Sequence, residues 1–179
     1  NAVTGRWNPE HVWANSQSYF VNESLCMPFP ERSPRTGGTV ERFQLQGVWA
    51  APIKIAKMFY TENGVPIEED NTLSFANIEE LRTSVQGERN YIEPGLVTSR
   101  LNFDREPRFY ASLGFDGGVW YMKDAVANGS DRNTYYLKAK NGERSGFGHF
   151  TNWNETGYFI KKLVHWESGV NQNTSWKQY

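Results

Sequence analysis

The sequence predicts an irregular α+β segment, with short helices, β-hairpins and long loops in a single unit over residues 1–179. Three observations carry this prediction. The 11 Phe, 9 Tyr and 7 Trp together equal the 12 Val, 9 Leu and 6 Ile in number, so rings stand where aliphatic side chains usually would. Leu, Ile, Val and Phe sum to 38 of 179 residues, few enough to suggest a thin core, while a net charge of −1 and seven tryptophans favour a folded chain over a disordered one. The hydrophobic period also changes along the chain, helical near residue 55 and alternating beyond residue 109, with 16 Gly and 8 Pro interrupting both.

Each element follows from local chemistry. Residues 1–30 set Trp7, Trp13, Tyr19, Phe20 and Phe29 among Asn, Ser and Pro without a period, which reads as ordered loop. Residues 30–39 hold two Pro and two Gly and no apolar side chain, as in an exposed connection. Pro52 suits the first position of a helix over 51–61, with Ile53, Ala56 and Phe59 or Tyr60 on one face and Asn63-Gly64 as its stop. Asn77 with Glu80 three residues on predicts a second helix over 78–84. Phe109, Ala111, Leu113 and Phe115 alternate, Asp116-Gly117-Gly118 reads as a tight turn, and Val119 to Lys123 returns, which together predict a hairpin. Residues 124–148 form a long polar loop with Tyr135, Tyr136 and Leu137 embedded and a turn at Asn141-Gly142. A strand is expected over 156–166, its alternation interrupted by Lys162. No internal repeat is evident.

Composition excludes several function classes. A near-neutral chain lacks the basic surface of a nucleic-acid binder. No run of eighteen apolar residues marks a membrane-spanning helix, and no positively charged start followed by an apolar stretch marks a signal peptide. The first residue, Asn1, reads as the start of a trimmed or excised chain. Cys26 is the single cysteine, so no internal disulfide forms, and its Ser-Leu-Cys-Met-Pro setting reads as a buried, inert thiol. His11, His149 and His165 have no metal-ligand spacing, and no cofactor motif is present. Glu68-Glu69-Asp70 diverge in any regular element and read as a solvated turn, while Asp104 and Glu106 beside Arg105 and Arg108 read as local ion pairs.

The rings are what remains. A pyranose has a face of weakly polarised C–H groups that an aromatic ring can cover, while amide, Arg and Lys side chains bond its hydroxyls. Asn152, Trp153 and Asn154 put that mixture into one tetrapeptide, and Trp120, Tyr121, Arg132, Tyr135 and Tyr136 lie on adjoining loops or turns. Phe109, Phe115, Phe159 and Trp166, embedded in expected strands, read as core plugs instead.

Three stretches carry a family resemblance. Asn102-Phe-Asp-Arg-Glu-Pro-Arg-Phe-Tyr-Ala-Ser-Leu-Gly-Phe-Asp-Gly-Gly-Val-Trp-Tyr121 strongly resembles the SusD/RagB family of surface glycan-binding lipoproteins. Ala51 to Ile67 is similar to that family's helix and N-G-x-P-I type turn, and Thr156 to Val164 to its T-G-Y-x-x-x-K strand. The resemblance spans about 51–166. It implies a longer, mainly helical parent with TPR-like helix pairs framing this segment. It also implies lipid anchoring to the extracellular face of the outer membrane through a cysteine outside this chain. By the same resemblance the protein captures oligosaccharide or polysaccharide for a SusC-like TonB-dependent transporter, without catalysis, cofactor or nucleic acid. Two alternatives stand beside it: a docking segment that contacts the transporter while sugar binds elsewhere, and a glycoside hydrolase, which would require two opposed carboxylates.

Overall fold

Pro52, at φ −57° and ψ 144°, introduces α1 (Ile53–Met58), in which Ala56 alone is fully buried. The computed structural model describes residues 25–28, 47–73, 75, 77–121, 134–143, 145–147, 154–170 and 174–175. The expectations for 1–24 and for the 30–39 connection therefore lie outside the described residues. Helix α1 is shorter than the 51–61 expected, and Ile53 and Ile55 on it are exposed. Its end is set by Arg105. The guanidinium donates to the carbonyls of Ala56 at 2.9 Å and Phe59 at 2.6 Å, so Phe59 turns extended and the next helical turn never forms. The Asn63-Gly64 turn is present but comes after this break.

The helix expected over 78–84 is a turn followed by a strand. Asn77 Oδ1 accepts the Glu79 amide at 3.2 Å, closing one turn, and the chain then enters β1 (Leu81–Thr83). Strand β1 pairs antiparallel with β2 (Val97–Ser99), Leu81 facing Ser99 and Thr83 facing Val97.

The hairpin predicted from Phe109 through the 116–118 turn to a return over Val119–Lys123 is corrected in its first arm, which is a helix, and in its pairing, while the return is a strand over the described 119–121. Pro107 occupies the first position of α2 (Pro107–Ser112), where its missing amide costs nothing, and Leu113 closes the helix by donating to the Phe109 carbonyl. Phe109 and Leu113 are four apart and so share a helical face as well as an alternating one, which is why the pattern misleads. Strand β3 (Leu113–Gly114) pairs with β6 (Phe159–Ile160), and β4 (Val119–Tyr121) pairs with β5 (Thr134–Tyr136), both antiparallel. Asp116-Gly117-Gly118 is a tight turn as expected, with Gly118 N donating to Phe115 O at 2.8 Å. Gly117 takes φ +77°, and a Cβ there would stand 1.8 Å from Leu96 Cδ2, so only glycine serves. What keeps β4 from lying beside β3 is the Trp120 ring. It sits over Gly114 so closely that a Cβ would meet it at 2.6 Å.

The strand expected over 156–166 reduces to β6, followed by a 3₁₀ turn at Lys161–Leu163. Further on, β7 (Gly169–Val170) pairs with β8 (Thr174–Ser175). Two hydrophobic clusters fill the interior. One gathers Cys26, Met27, Trp120, Leu137 and Phe159, and the other Ala56, Leu101, Phe103, Phe109 and Phe115, with Ile160 packed against both. Among the described residues the architecture is thus an irregular α+β segment of short helices and small antiparallel sheets. Cys26 is buried, as expected of an inert thiol, and Phe109, Phe115 and Phe159 are core rings. Trp166 is not a core ring. It is 49% exposed, because the chain leaves β6 through the 3₁₀ turn and the alternation that would have buried it ends.

Candidate functional site

Helices α1 and α2 are locked together before any groove forms. Besides Ala56 and Phe59, Arg105 bonds the carbonyls of Tyr60 at 3.4 Å and Leu101 at 2.8 Å, and its guanidinium lies 4.7 Å from the Phe109 ring centroid. Desolvation lowers its pKa. Next to it, Asp104 adopts φ 54° and pairs with Arg100 at 2.7 Å and Arg82 at 3.3 Å, so the expected local ion pairing is present. Glu106 accepts the Tyr60 amide at 2.9 Å and Arg108 Nε at 2.7 Å. Burial pushes the Glu106 carboxyl up, but these donors outweigh it and hold the pKa below the ordinary value. In the expected solvated turn, Asp70 gathers hydrogen bonds from Thr61, Thr72 and Asn63, and the first two of these dominate in keeping it well below the usual carboxylate range.

The opposite wall is fixed by Asn102. Its Nδ2 donates to Thr98 Oγ1 at 3.1 Å, its Oδ1 accepts the Tyr158 hydroxyl at 2.8 Å, and its carbonyl accepts the Tyr110 hydroxyl at 3.1 Å. Burial raises the pKa of both phenols. Tyr110 in turn stacks on Tyr91, with centroids 4.3 Å apart and planes 21° apart.

Between α1, α2, β4 and the 160–166 stretch opens a groove of about 1100 Å³. Tyr91, Tyr110, Tyr121 and Trp166 supply its rings, Trp120 lies along its floor, and Arg108, Lys161 and Lys162 supply its charges. Lys161 Nζ donates to the carbonyls of Tyr110 at 2.9 Å and Val119 at 2.6 Å and lies 5.0 Å from the Tyr121 ring centroid. Desolvation lowers its pKa to about 8. Among the described residues that line the groove there is no Asp, Glu, His or Cys, so its wall offers stacking, N–H donors and hydroxyls but no acid and base pair. No group of three metal-ligating side chains occurs among the described residues, and no described helix is long and apolar enough to cross a membrane.

The residues expected at a ligand site divide into three sets. Tyr121, 49% exposed, stands on the groove. Trp120 and Tyr135 face each other across β4 and β5 and are 1% and 3% exposed, so neither presents a ring face to a ligand. Asn154 is also buried, its Nδ2 donating to the carbonyls of Trp49 at 3.3 Å and Tyr158 at 3.0 Å, and it serves the fold. Tyr136 is half-buried, away from the groove, with its hydroxyl donating to Arg89 O at 3.0 Å. Trp153, Asn152 and Arg132 lie outside the described residues. Sequence reasoning missed Tyr91, Tyr110, Lys161 and Trp166. Their only local trace is the Lys161-Lys162 pair interrupting an apolar alternation.

Short elements tied together by Arg105 and Asn102 thus present a wide aromatic groove with cationic donors. The chain belongs to the SusD family, whose sequence pattern matches residues 9–179. Its fold is similar to that of BT4246, with a TM-score of 0.69 and 23% identity over 99% of this chain and 28% of that one. The selenomethionine form of BT4246 matches with a TM-score of 0.63 and 20% identity over 92% of this chain and 26% of that one. The chain thus spans about a quarter of the length of these structures. No curated protein matches it.

Proposed function

We propose that this chain is a glycan-binding segment of a cell-surface nutrient-uptake protein that works without covalent chemistry. The observation that carries this reading is the groove: exposed Tyr91, Tyr121 and Trp166 beside N–H donors, on a wall whose described residues include no carboxylate. Membership of the SusD family supports it, since that family is associated with glycan binding in nutrient uptake. In this reading the whole protein is anchored by lipid to the outer face of the outer membrane, carries TPR-like helix pairs around this segment, and passes oligosaccharide to a SusC-like transporter. Trp153 joins the ligand set from sequence chemistry alone.

Each stacked ring contributes about 1 kcal/mol beyond area burial, so a site with two or three rings binds in roughly the micromolar to millimolar range. Titrating oligosaccharides while following tryptophan fluorescence tests this. Tyr121→Ala weakens binding about fivefold, and full affinity in that variant removes the groove from the site. A second reading, docking against protein, draws on Ile55 and Leu163, which are exposed on the same groove. Fluorescence that no oligosaccharide alters would favour it.

A further inference from the structure

The three cations on the groove are not equivalent. Arg108 is already paired, its Nη2 lying 2.7 Å from Glu106 Oε2. Lys162 is exposed and makes no ion pair among the described residues. Lys161 is partly buried and rests on two neutral carbonyls and the Tyr121 ring. An ammonium has three N–H donors, and among the described residues only two of those of Lys161 have acceptors and no carboxylate faces it. A charge drawn out of water without a counter-charge is costly to the fold, and an arriving anion relieves that cost. Its lowered pKa, about 8, has the same origin in desolvation. Glu106, which pairs with the third groove cation, is engaged by Arg108 and by the Tyr60 amide. The groove therefore combines sugar-stacking rings with positive charge that has no negative partner on its described wall.

We propose that the groove selects acidic glycans, those bearing uronate carboxylates or sulfate esters, with Lys161 and Lys162 receiving the anion while a pyranose ring lies on the exposed side of Tyr121. This deepens the glycan-binding reading and rests on it. The Lys161 ammonium lies 5.0 Å from the Tyr121 ring centroid and Lys162 lines the same groove, so a sugar resting against that ring turns its substituents toward a wall that carries both lysines.

Calorimetric titration of the full chain with matched pairs tests the proposal: an oligogalacturonate against its carboxyl-reduced form, and a sulfated galactan oligomer against its desulfated form. The acidic member of at least one pair binds about tenfold tighter, as expected for a charge-assisted hydrogen bond, and which pair responds identifies carboxylate or sulfate. That advantage shrinks as salt rises from about 50 to about 500 mM. Lys161→Met and Lys162→Gln each remove most of it, read as the ratio of affinities within a pair. Because Lys162 is exposed, its variant tests the site even where Lys161→Met does not fold. Equal binding within both pairs overturns the acidic class and leaves the glycan reading intact. An acid preference that survives Lys162→Gln places the anion elsewhere and overturns the site. Absence of binding by all four oligomers removes both readings and leaves the groove to a protein surface.

Discussion

Arg105 and Lys161 are both held by backbone carbonyls, one at the junction of the helices and the other on the groove, and they differ in how far they are sealed from that groove. Arg105 reaches four carbonyls, of Ala56, Phe59, Tyr60 and Leu101, and is only 2% exposed. Its planar fork completes the end of α1 and ties it to the chain entering α2. Lys161 reaches two carbonyls and faces the groove. Arg105, sealed from solvent with four of its five N–H donors on carbonyls, can only support the fold, whereas Lys161 lines the groove with a donor left over and can also meet a ligand.

The largest test of this contrast is Arg105→Ala, which orphans four carbonyls in the interior. It lowers unfolding stability by about 3–5 kcal/mol in urea denaturation. Arg105→Lys recovers only part, because a compact ammonium cannot span the same acceptors. A loss below about 1 kcal/mol would show that the junction does not depend on the guanidinium.

Gly114→Ala comes next. It drives a methyl group into the Trp120 ring where β3 and β4 cross, and a strain of about 1–3 kcal/mol follows in the same assay. A neutral outcome would mean that the indole shifts freely and that its close approach to Gly114 places nothing.

The smallest effect is on pH dependence. Folded Lys161 has its pKa lowered to about 8 from the ordinary 10.5, so between these values the unfolded chain binds more protons, and folding stability rises with pH. Above about pH 10 the trend reverses, because Tyr110, Tyr135 and Tyr158 are kept neutral by burial while their unfolded counterparts ionise. Thermal unfolding followed from pH 8 to pH 10 shows the rise, and Lys161→Met flattens it. An unchanged slope in that variant would assign the rise to other groups.

How much of this was legible in the sequence depended on how local its cause was. Turns at Asn63-Gly64, Asp116-Gly117-Gly118 and Asn141-Gly142 follow from residues that tolerate left-handed backbone, and all three are present. The start of α1 at Pro52 was equally plain, and the family was written in three contiguous blocks. Its end was not, because Arg105, some 50 positions away along the chain, donates to the carbonyls there. Phe109 and Leu113 fit helix and strand alike, and the choice between them turned on Pro107. For the site, an exposed Tyr121 and a buried Trp120 are neighbours in sequence with the same ring chemistry. Only the β4–β5 register tells them apart. The local mark of Lys161, a lysine pair breaking an apolar alternation, does not reveal its environment, which comes from carbonyls at 110 and 119.

Asn102 joins residues 98, 110 and 158 through one side chain and its carbonyl, and two of those partners, Tyr110 and the strand following Tyr158, flank the groove. The two banks are consequently hinged to a common post and cannot part or close without breaking buried hydrogen bonds. In the proposed glycan reading, sugars meet a preset span there and are told apart by how they fit it, with no clamping motion on this side.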